Sequence, residues 1–130
     1  MTDRVDYLDL ADLMAVARAV TGLAHPPVRD RGLLESALAR PATSVFGQEA
    51  FPTLHEKAAA LFHSLARNHP LADGNKRLAY TAAKVMYGLN GLHLTVPSVD
   101  EGDAFVRAVA KGDFEVPELA AALAAWTSPR

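Results

Sequence analysis

The sequence predicts an all-α protein, a compact bundle of about six helices with one short loop or hairpin flap. Three observations carry that prediction. Apolar residues recur at helical spacing along most of the chain. Glycines, prolines and capping residues interrupt the pattern where helices should start and stop. Half of the 130 residues are hydrophobic and 22% are charged, which is enough apolar material for a real core. The length is that of one ordinary domain, and no repeat, low-complexity tract or linker divides it, so residues 1–130 read as a single domain.

Leu10, Leu13, Met14, Ala17 and Val20 form the buried stripe of a first helix, which Gly22 and the Pro26-Pro27 pair bring to an end. A short second helix turns Leu34, Ala37 and Leu38 inward and closes at Pro41. Residues 43–51, TSVFGQEAF, set β-branched and aromatic residues around a glycine. They read as a loop or a weak hairpin. A third helix begins near Leu54 and buries Ala58, Leu61, Phe62 and Leu65. A fourth begins near Asn75, with Leu78, Ala79, Ala82, Val85, Met86 and Leu89 on one side and Gly91 just past its end. Residues 92–96, LHLTV, suggest a short extended piece. Ser98 and Glu101 match a capping box for a fifth helix that buries Phe105, Val106 and Val109. Pro117 suits the first turn of a sixth, with Leu119, Ala122, Leu123 and Trp126 inward.

Composition removes several classes of function. The net charge of −2 argues against a protein that binds nucleic acid directly, which would carry a strongly basic face. With no cysteine there is no disulfide, thiolate metal site or thiol nucleophile. The opening MTDRVDYLD carries three aspartates and no apolar stretch, so a signal peptide is not expected. No uncharged apolar run approaches the ~20 residues that span a bilayer. A cytoplasmic protein with no membrane partner is the expectation.

Between the third and fourth helices stands NHPLADGNKR, residues 68–77, an order that neither helix nor strand favours. Pro70 disfavours helical geometry at the residue before it, which stops the third helix at Asn68 or His69. His69 then lies at a helix end with its imidazole able to face a cleft, and histidine is the side chain best suited to moving protons near neutral pH. Gly74 allows a sharp turn and a close ligand approach. The first N–H groups of the fourth helix point into the same loop, a natural anion site worth ~0.3–1 kcal/mol per exposed charge and up to ~2 when partly buried. Lys76 and Arg77 add two cations in that first turn, against the helix dipole. An anion lodged between them would resolve the conflict. Asp73 is a hard oxygen ligand suited to Mg²⁺ bridging phosphates. Together these parts suit phosphoryl or nucleotidyl transfer. From the residues alone, a non-catalytic helical interaction module with an anion-binding docking loop stays open beside the enzyme.

The run HPLADGNKR, residues 69–77, resembles the signature of the Fic family, a His-Pro-apolar-x-acid-Gly-Asn-x-Arg loop between two helices. It is closer to the Doc ("death on curing") toxin branch. The preceding GLLESALARP, residues 32–41, and the Asn90-Gly91 pair are similar to that branch as well. The resemblance implies the Fic fold and a role for each matching residue. His69 is the general base on the target hydroxyl, Asp73 holds Mg²⁺, Gly74 and Asn75 form the anion-hole turn, and Arg77 binds nucleotide phosphates. Lys76 stands where AMP-transferring members usually carry glycine. Its stem would fill the hole for the inner phosphates and its ammonium would draw the terminal one. That implies a reversed ATP and transfer of the γ-phosphate, a protein kinase acting on a Ser or Thr hydroxyl of a translation factor of the elongation factor Tu class. AMP transfer (AMPylation) is the alternative. Arg67 is a further candidate phosphate contact.

Two departures bear on this reading. Leu71 replaces the family's phenylalanine, an apolar exchange that keeps an anchor for the loop with less area. The family's autoinhibitory pattern, Ser or Thr four residues before a Glu, is absent, because none of Glu35, Glu49, Glu56, Glu101, Glu115 or Glu118 has such a neighbour. Inhibition would then come from a partner, a Phd-like antitoxin with a disordered tail that folds into a groove. Phe46, Gly47, Gln48, Glu49, Ala50 and Phe51 match the position of the family's flap, which aligns a target peptide by strand addition. An ordinary surface loop remains open there. Other signals are weaker. His55-Glu56 lacks the second histidine of a metalloprotease, since residue 59 is alanine. A site built from His63, His69 and Asp73 is disfavoured because His63 lies off the buried stripe.

Overall fold

A computed structural model describes residues 4–130; residues 1–3, the start of the aspartate-bearing opening, lie outside them. Six α-helices carry the chain: α1 (Leu10–Thr21), α2 (Arg31–Ala39), α3 (Leu54–Asn68), α4 (Asn75–Leu89), α5 (Val99–Lys111) and α6 (Val116–Ala125). The all-α prediction therefore holds. A 3₁₀ turn, Arg40–Ala42, continues α2 through the buried Pro41.

The helix ends follow local chemistry. Asp9 and Asp12 cap each other at the start of α1, with Asp12 N–H donating to Asp9 at 2.8 Å and Asp9 N–H to Asp12 at 3.0 Å. Asp30, Thr53 and Ser98 accept from the third residue of α2, α3 and α5 respectively. α3 is the central helix. Residues 57–62 are all buried, as are Ser64, Leu65 and Ala66, and α4, α6, α2 and α5 pack around it. Aromatic rings close the core toward the carboxyl-terminal end, where Phe105 meets Phe62, Phe114 and Trp126 edge-on at 5.9, 5.1 and 4.7 Å between centroids.

Two small antiparallel ribbons complete the fold. Residues 43–51 form a hairpin of β1 (Ser44–Val45) and β2 (Gln48–Glu49), pairing Ser44 with Glu49 and Val45 with Gln48. Phe46 and Gly47 make the turn with φ of 51° and 78°, the positive values that a two-residue hairpin loop requires. The extended piece after α4 is β3 (Leu92–Leu94), which pairs with β4 (Thr127–Pro129). No sequence signal marks that second strand, which follows the sixth helix directly.

The stripe predicted for α4 needs one correction. Leu89 is 46% exposed, while Tyr87, absent from the predicted stripe, is fully buried and hydrogen-bonds His55 Nδ1 through its hydroxyl at 2.8 Å. Helix α4 ends at Leu89, so its last turn overhangs the core, and the buried side rotates toward α3.

Candidate functional site

The junction between α3 and α4 is shaped by two left-handed residues. His69 closes α3 with φ 51° and ψ 63°, and Gly74 opens α4 with φ 88°. A non-glycine residue in that region costs roughly 1–2 kcal/mol and persists only where its surroundings enforce it. Here the enforcing contacts come from the α1–α2 connection. Arg29 donates through Nε to the His69 carbonyl and through Nη2 to the Asn68 carbonyl, both at 2.7 Å. The Arg29 and Asp30 amides donate to the Pro70 carbonyl at 2.8 and 3.0 Å, and Ala72 N–H donates to the Pro27 carbonyl at 3.0 Å. Arg29 thus caps the carbonyl end of α3 and fixes the backbone that carries the imidazole. The sequence reading missed it, because a contact forty residues away leaves no local signal.

Asn75 holds the other side of the loop. Its buried amide accepts from Leu71 N–H at 2.8 Å and donates to the Leu71 carbonyl at 2.9 Å, pairing as a strand neighbour would. Leu71 itself is 1% exposed, so the loop anchor survives the exchange from phenylalanine. The side chain of Asn75 is therefore committed to shaping the turn, and only its backbone N–H is left for a ligand.

The loop encloses a polar hollow of about 290 Å³ lined by His69, Asp73, Gly74, Asn75, Lys76 and Arg77, together with Ala72. All the loop residues proposed from sequence meet around this one space. The α4 start has no side-chain cap and no acidic residue in its first turn, and its first four-residue backbone bond runs from Leu78 N–H to the Gly74 carbonyl at 2.9 Å. The N–H groups of residues 75–77 stand ahead of it, at the positive end of the helix dipole. Among the described residues, neither Lys76 nor Arg77 forms an ion pair.

One expectation is corrected. Arg67 does not reach the hollow: its Nη1 donates to the Ala110 carbonyl at 3.0 Å and its guanidinium lies over Gly112, capping the end of α5. A Cβ at residue 112 would come within 2.8 Å of that guanidinium, and the φ of 101° also requires glycine. His63 also stays apart from the loop. Its Nδ1 lies 3.0 Å from Arg40 Nη1, and burial, then the neighbouring Arg40, hold its pKa below the ordinary histidine range. No group of three or more metal-ligating side chains forms among the described residues. Asp73 is a single exposed carboxylate at the edge of the hollow, which fits Mg²⁺ completed by phosphate oxygens and water and does not fit an all-protein cage.

The β1–β2 hairpin divides into a free tip and a tethered base. Val45 is 55% exposed and Phe46 entirely so. Glu49 is turned down to Lys57 of α3, with Nζ 2.7 Å from Oε1. Lys57 is 1% exposed and also lies 3.4 Å from the Pro41 carbonyl. Burial opposes its charge, but Glu49 and Tyr7 outweigh that, and its pKa is held above the ordinary lysine value.

A bundle of helices whose two central members are joined by a His-Pro, Gly-Asn, Lys-Arg turn is a protein of the Fic fold. The model of the Fic/DOC family matches residues 7–94, and the chain belongs to that family. It is also similar to Toxin Doc of Mycolicibacterium smegmatis, with 42% identity over 124 residues that cover 95% of each chain. No helix among the described residues is long and apolar enough to cross a membrane.

Proposed function

We propose that this chain is the toxin of a toxin–antitoxin pair, and that it is a protein kinase moving the γ-phosphate of ATP to a Ser or Thr hydroxyl of a translation factor of the elongation factor Tu class, thereby arresting translation. The convergence of His69, Asp73, Lys76 and Arg77 on one hollow at an uncapped helix start carries this reading. The similarity to Toxin Doc supports the toxin assignment and an antitoxin partner.

In this reading the hydroxyl oxygen of the target attacks the γ-phosphorus as its proton passes to the His69 imidazole. The bond from that phosphorus to the β–γ bridging oxygen breaks, and ADP leaves. Lys76, Arg77 and the backbone N–H groups at the α4 start hold phosphate oxygens and meet the charge that develops on them. Asp73 would hold Mg²⁺, which neutralises phosphate charge when bound. The exposed Val45 and Phe46 offer an edge and an apolar tip to a target segment lying against the hairpin. The left-handed Phe46, kept at a fully exposed turn, supports a contact role for that tip.

ATP labelled separately at the α and γ positions, incubated with the protein and bacterial elongation factor Tu, tests the proposal. Transfer of the γ label is expected, and His69→Ala should lower it ~10²–10⁴-fold without loss of thermal stability. Transfer of the α label would mark AMP transfer instead, and no transfer to any protein of a bacterial extract would mark a binding module. Growth arrest on induction, relieved by co-expressing a short neighbouring reading frame, tests the antitoxin partner.

A further inference from the structure

We propose that the hollow beside Arg40 is a specificity subsite that takes a carboxylate side chain, Asp or Glu, from the target segment whose hydroxyl is brought to His69. The inference rests on the reading above in which a target segment lies against the hairpin. The hollow measures about 400 Å³ and is walled by Ser36 and Ala39 of α2, by Arg40 and Thr43 of the turn into the hairpin, and by Ser64 and Asn68 of α3. Thr43 immediately precedes β1, and Asn68 immediately precedes His69. A segment that lies against the hairpin and reaches the imidazole therefore passes the mouth of this hollow.

The hydrogen bonds of Arg40 use one of its three guanidinium nitrogens. Nη1 donates to Ser64 Oγ at 3.1 Å, lies 3.0 Å from His63 Nδ1 and lies 3.5 Å from the Ala60 carbonyl. Among the described residues Nε and Nη2 make no hydrogen bond, and Arg40 forms no ion pair. Burial lowers its pKa from the ordinary arginine value, and the charge of Glu115 opposes that shift. The guanidinium still carries its charge at neutral pH. It is thus a half-buried cation with no carboxylate against it, an arrangement that a carboxylate guest would relieve. The Phe51 ring lies 5.4 Å from Cζ and steadies the guanidinium plane. A lysine ammonium would supply the same three donors as Nη1. What arginine adds is the free Nε–Nη2 edge, a fork that matches both oxygens of a carboxylate.

The other walls suit the same guest. Ser36, Thr43, Ser64 and Asn68 bring hydroxyls and an amide, and no acidic side chain lines the hollow. An apolar guest would strip water from these groups without replacing its hydrogen bonds, and a cationic one would meet Arg40. A glutamine offers the fork one oxygen and no charge, so the hollow discriminates acid from amide as well.

Two measurements test this. In the first, the full chain with Mg²⁺ and ATP labelled at both the α and γ positions is presented with a peptide library centred on Ser or Thr. Asp or Glu at one flanking position should raise labelling about tenfold over Gln or Lys there. Ser36→Glu sets a carboxylate at the rim from an exposed helical position with little packing to lose. It should abolish the preference while KM for ATP stays within about twofold. Arg40→Lys keeps the charge and loses the fork, and should lower the preference about threefold or more. A library without a preference for acid, or a preference that Ser36→Glu leaves intact, would overturn the proposal. The second measurement follows the Arg40 Nε–H signal by heteronuclear NMR, assigned by its loss in Arg40→Lys. N-acetylglutamate methylamide should shift it saturably, its glutamine counterpart should not, and Ser36→Glu should abolish the response. A shift with both compounds, or with neither, would overturn the proposal. The library counts either label, so transfer of the α label would sink the kinase reading and leave the subsite standing. If the unchanged protein labels no peptide, the docking reading falls first, and the Arg40 signal then decides whether the hollow takes a carboxylate at all.

Discussion

Lys57 and Glu49 form an asymmetric pair, and the asymmetry makes a sharp prediction. The side chain of Lys57 is 2% exposed and that of Glu49 is 52% exposed. Glu49→Ala strands an ammonium in the core, with the Pro41 carbonyl at 3.4 Å and the Tyr7 ring at 5.8 Å as its remaining neighbours. Breaking a fully buried pair by removing one partner costs ~3–5 kcal/mol; water already shares the Glu49 carboxylate, which discounts this to ~2–3 kcal/mol. Lys57→Met removes the charge, fills the same channel with an apolar chain and leaves Glu49 in water. Its cost should stay within ~1 kcal/mol. Both variants cut the tether between α3 and the hairpin, whose strands are two residues each and marginal alone. Urea denaturation should therefore separate the variants, while hydrogen exchange should show the same loosening in both, read at the Ala50 N–H that donates to the Thr43 carbonyl at 2.9 Å. For a kinase that docks its target on the hairpin, both variants should raise KM for the protein substrate and leave KM for ATP unchanged. Equal destabilisation by the two substitutions, or a greater loss in Lys57→Met, would refute the argument.

Three further outcomes follow from the site. Asn75→Ala leaves the N–H and carbonyl of buried Leu71 without their partners and should cost ~2–4 kcal/mol in urea unfolding, with loss of phosphate binding at protein concentrations where the fold persists. Arg29→Met removes the clamp on the Asn68 and His69 carbonyls from an exposed position; turnover should fall at least about tenfold with tripolyphosphate affinity and melting temperature nearly unchanged. The third concerns pH. Burial lowers the pKa of both His55 and His63, so below about pH 6.5 the unfolded chain takes up protons that the native chain resists. Stability should fall as pH drops through that value, and His63→Gln should flatten the slope in melting experiments across pH 5–8.

Much of the fold was legible because helices write themselves locally. The Ser98 cap, the break at Pro70 and the α1 stripe depend on neighbours within four residues; all three appear in the structure, although in α1 only Leu13 and Ala17 of the predicted stripe are fully buried and Val16 joins them. The loop residues were legible for a similar reason, since nine consecutive positions carry most of the parts. What was hidden is long-range. Arg29 reaches across forty residues, β4 pairs with β3 from the far end of the chain, and Lys57 reads as a polar residue on a buried helix until the hairpin folds over it. Arg67 is close to His69 in sequence but not in space. Two residues rotate a helical side chain by about 200°, so Arg67 faces away from the hollow, and Ala110 lies within its reach. Tyr87 and Leu89 exchanged places because the ends of a stripe are decided by neighbouring helices.

These contacts divide the loop into two sets of groups with separate tasks. Arg29, Pro27, Asn75 and Leu71 spend their hydrogen-bonding capacity on backbone, holding His69 and Gly74 in left-handed conformations. His69, Asp73, Lys76 and Arg77 line the hollow, and among the described residues none of their side chains is engaged in holding the loop. A turn serving only to reverse the chain would gain nothing from two cations at the positive end of a helix, where the dipole repels them. The cost is recovered when a polyanion enters, because donors and cations already fixed in place need not reorganise to meet it. The rigidity lies in the backbone, and the side chains that line the hollow are left free to meet a ligand; in the proposed kinase, Arg29 should therefore matter to turnover more than to affinity.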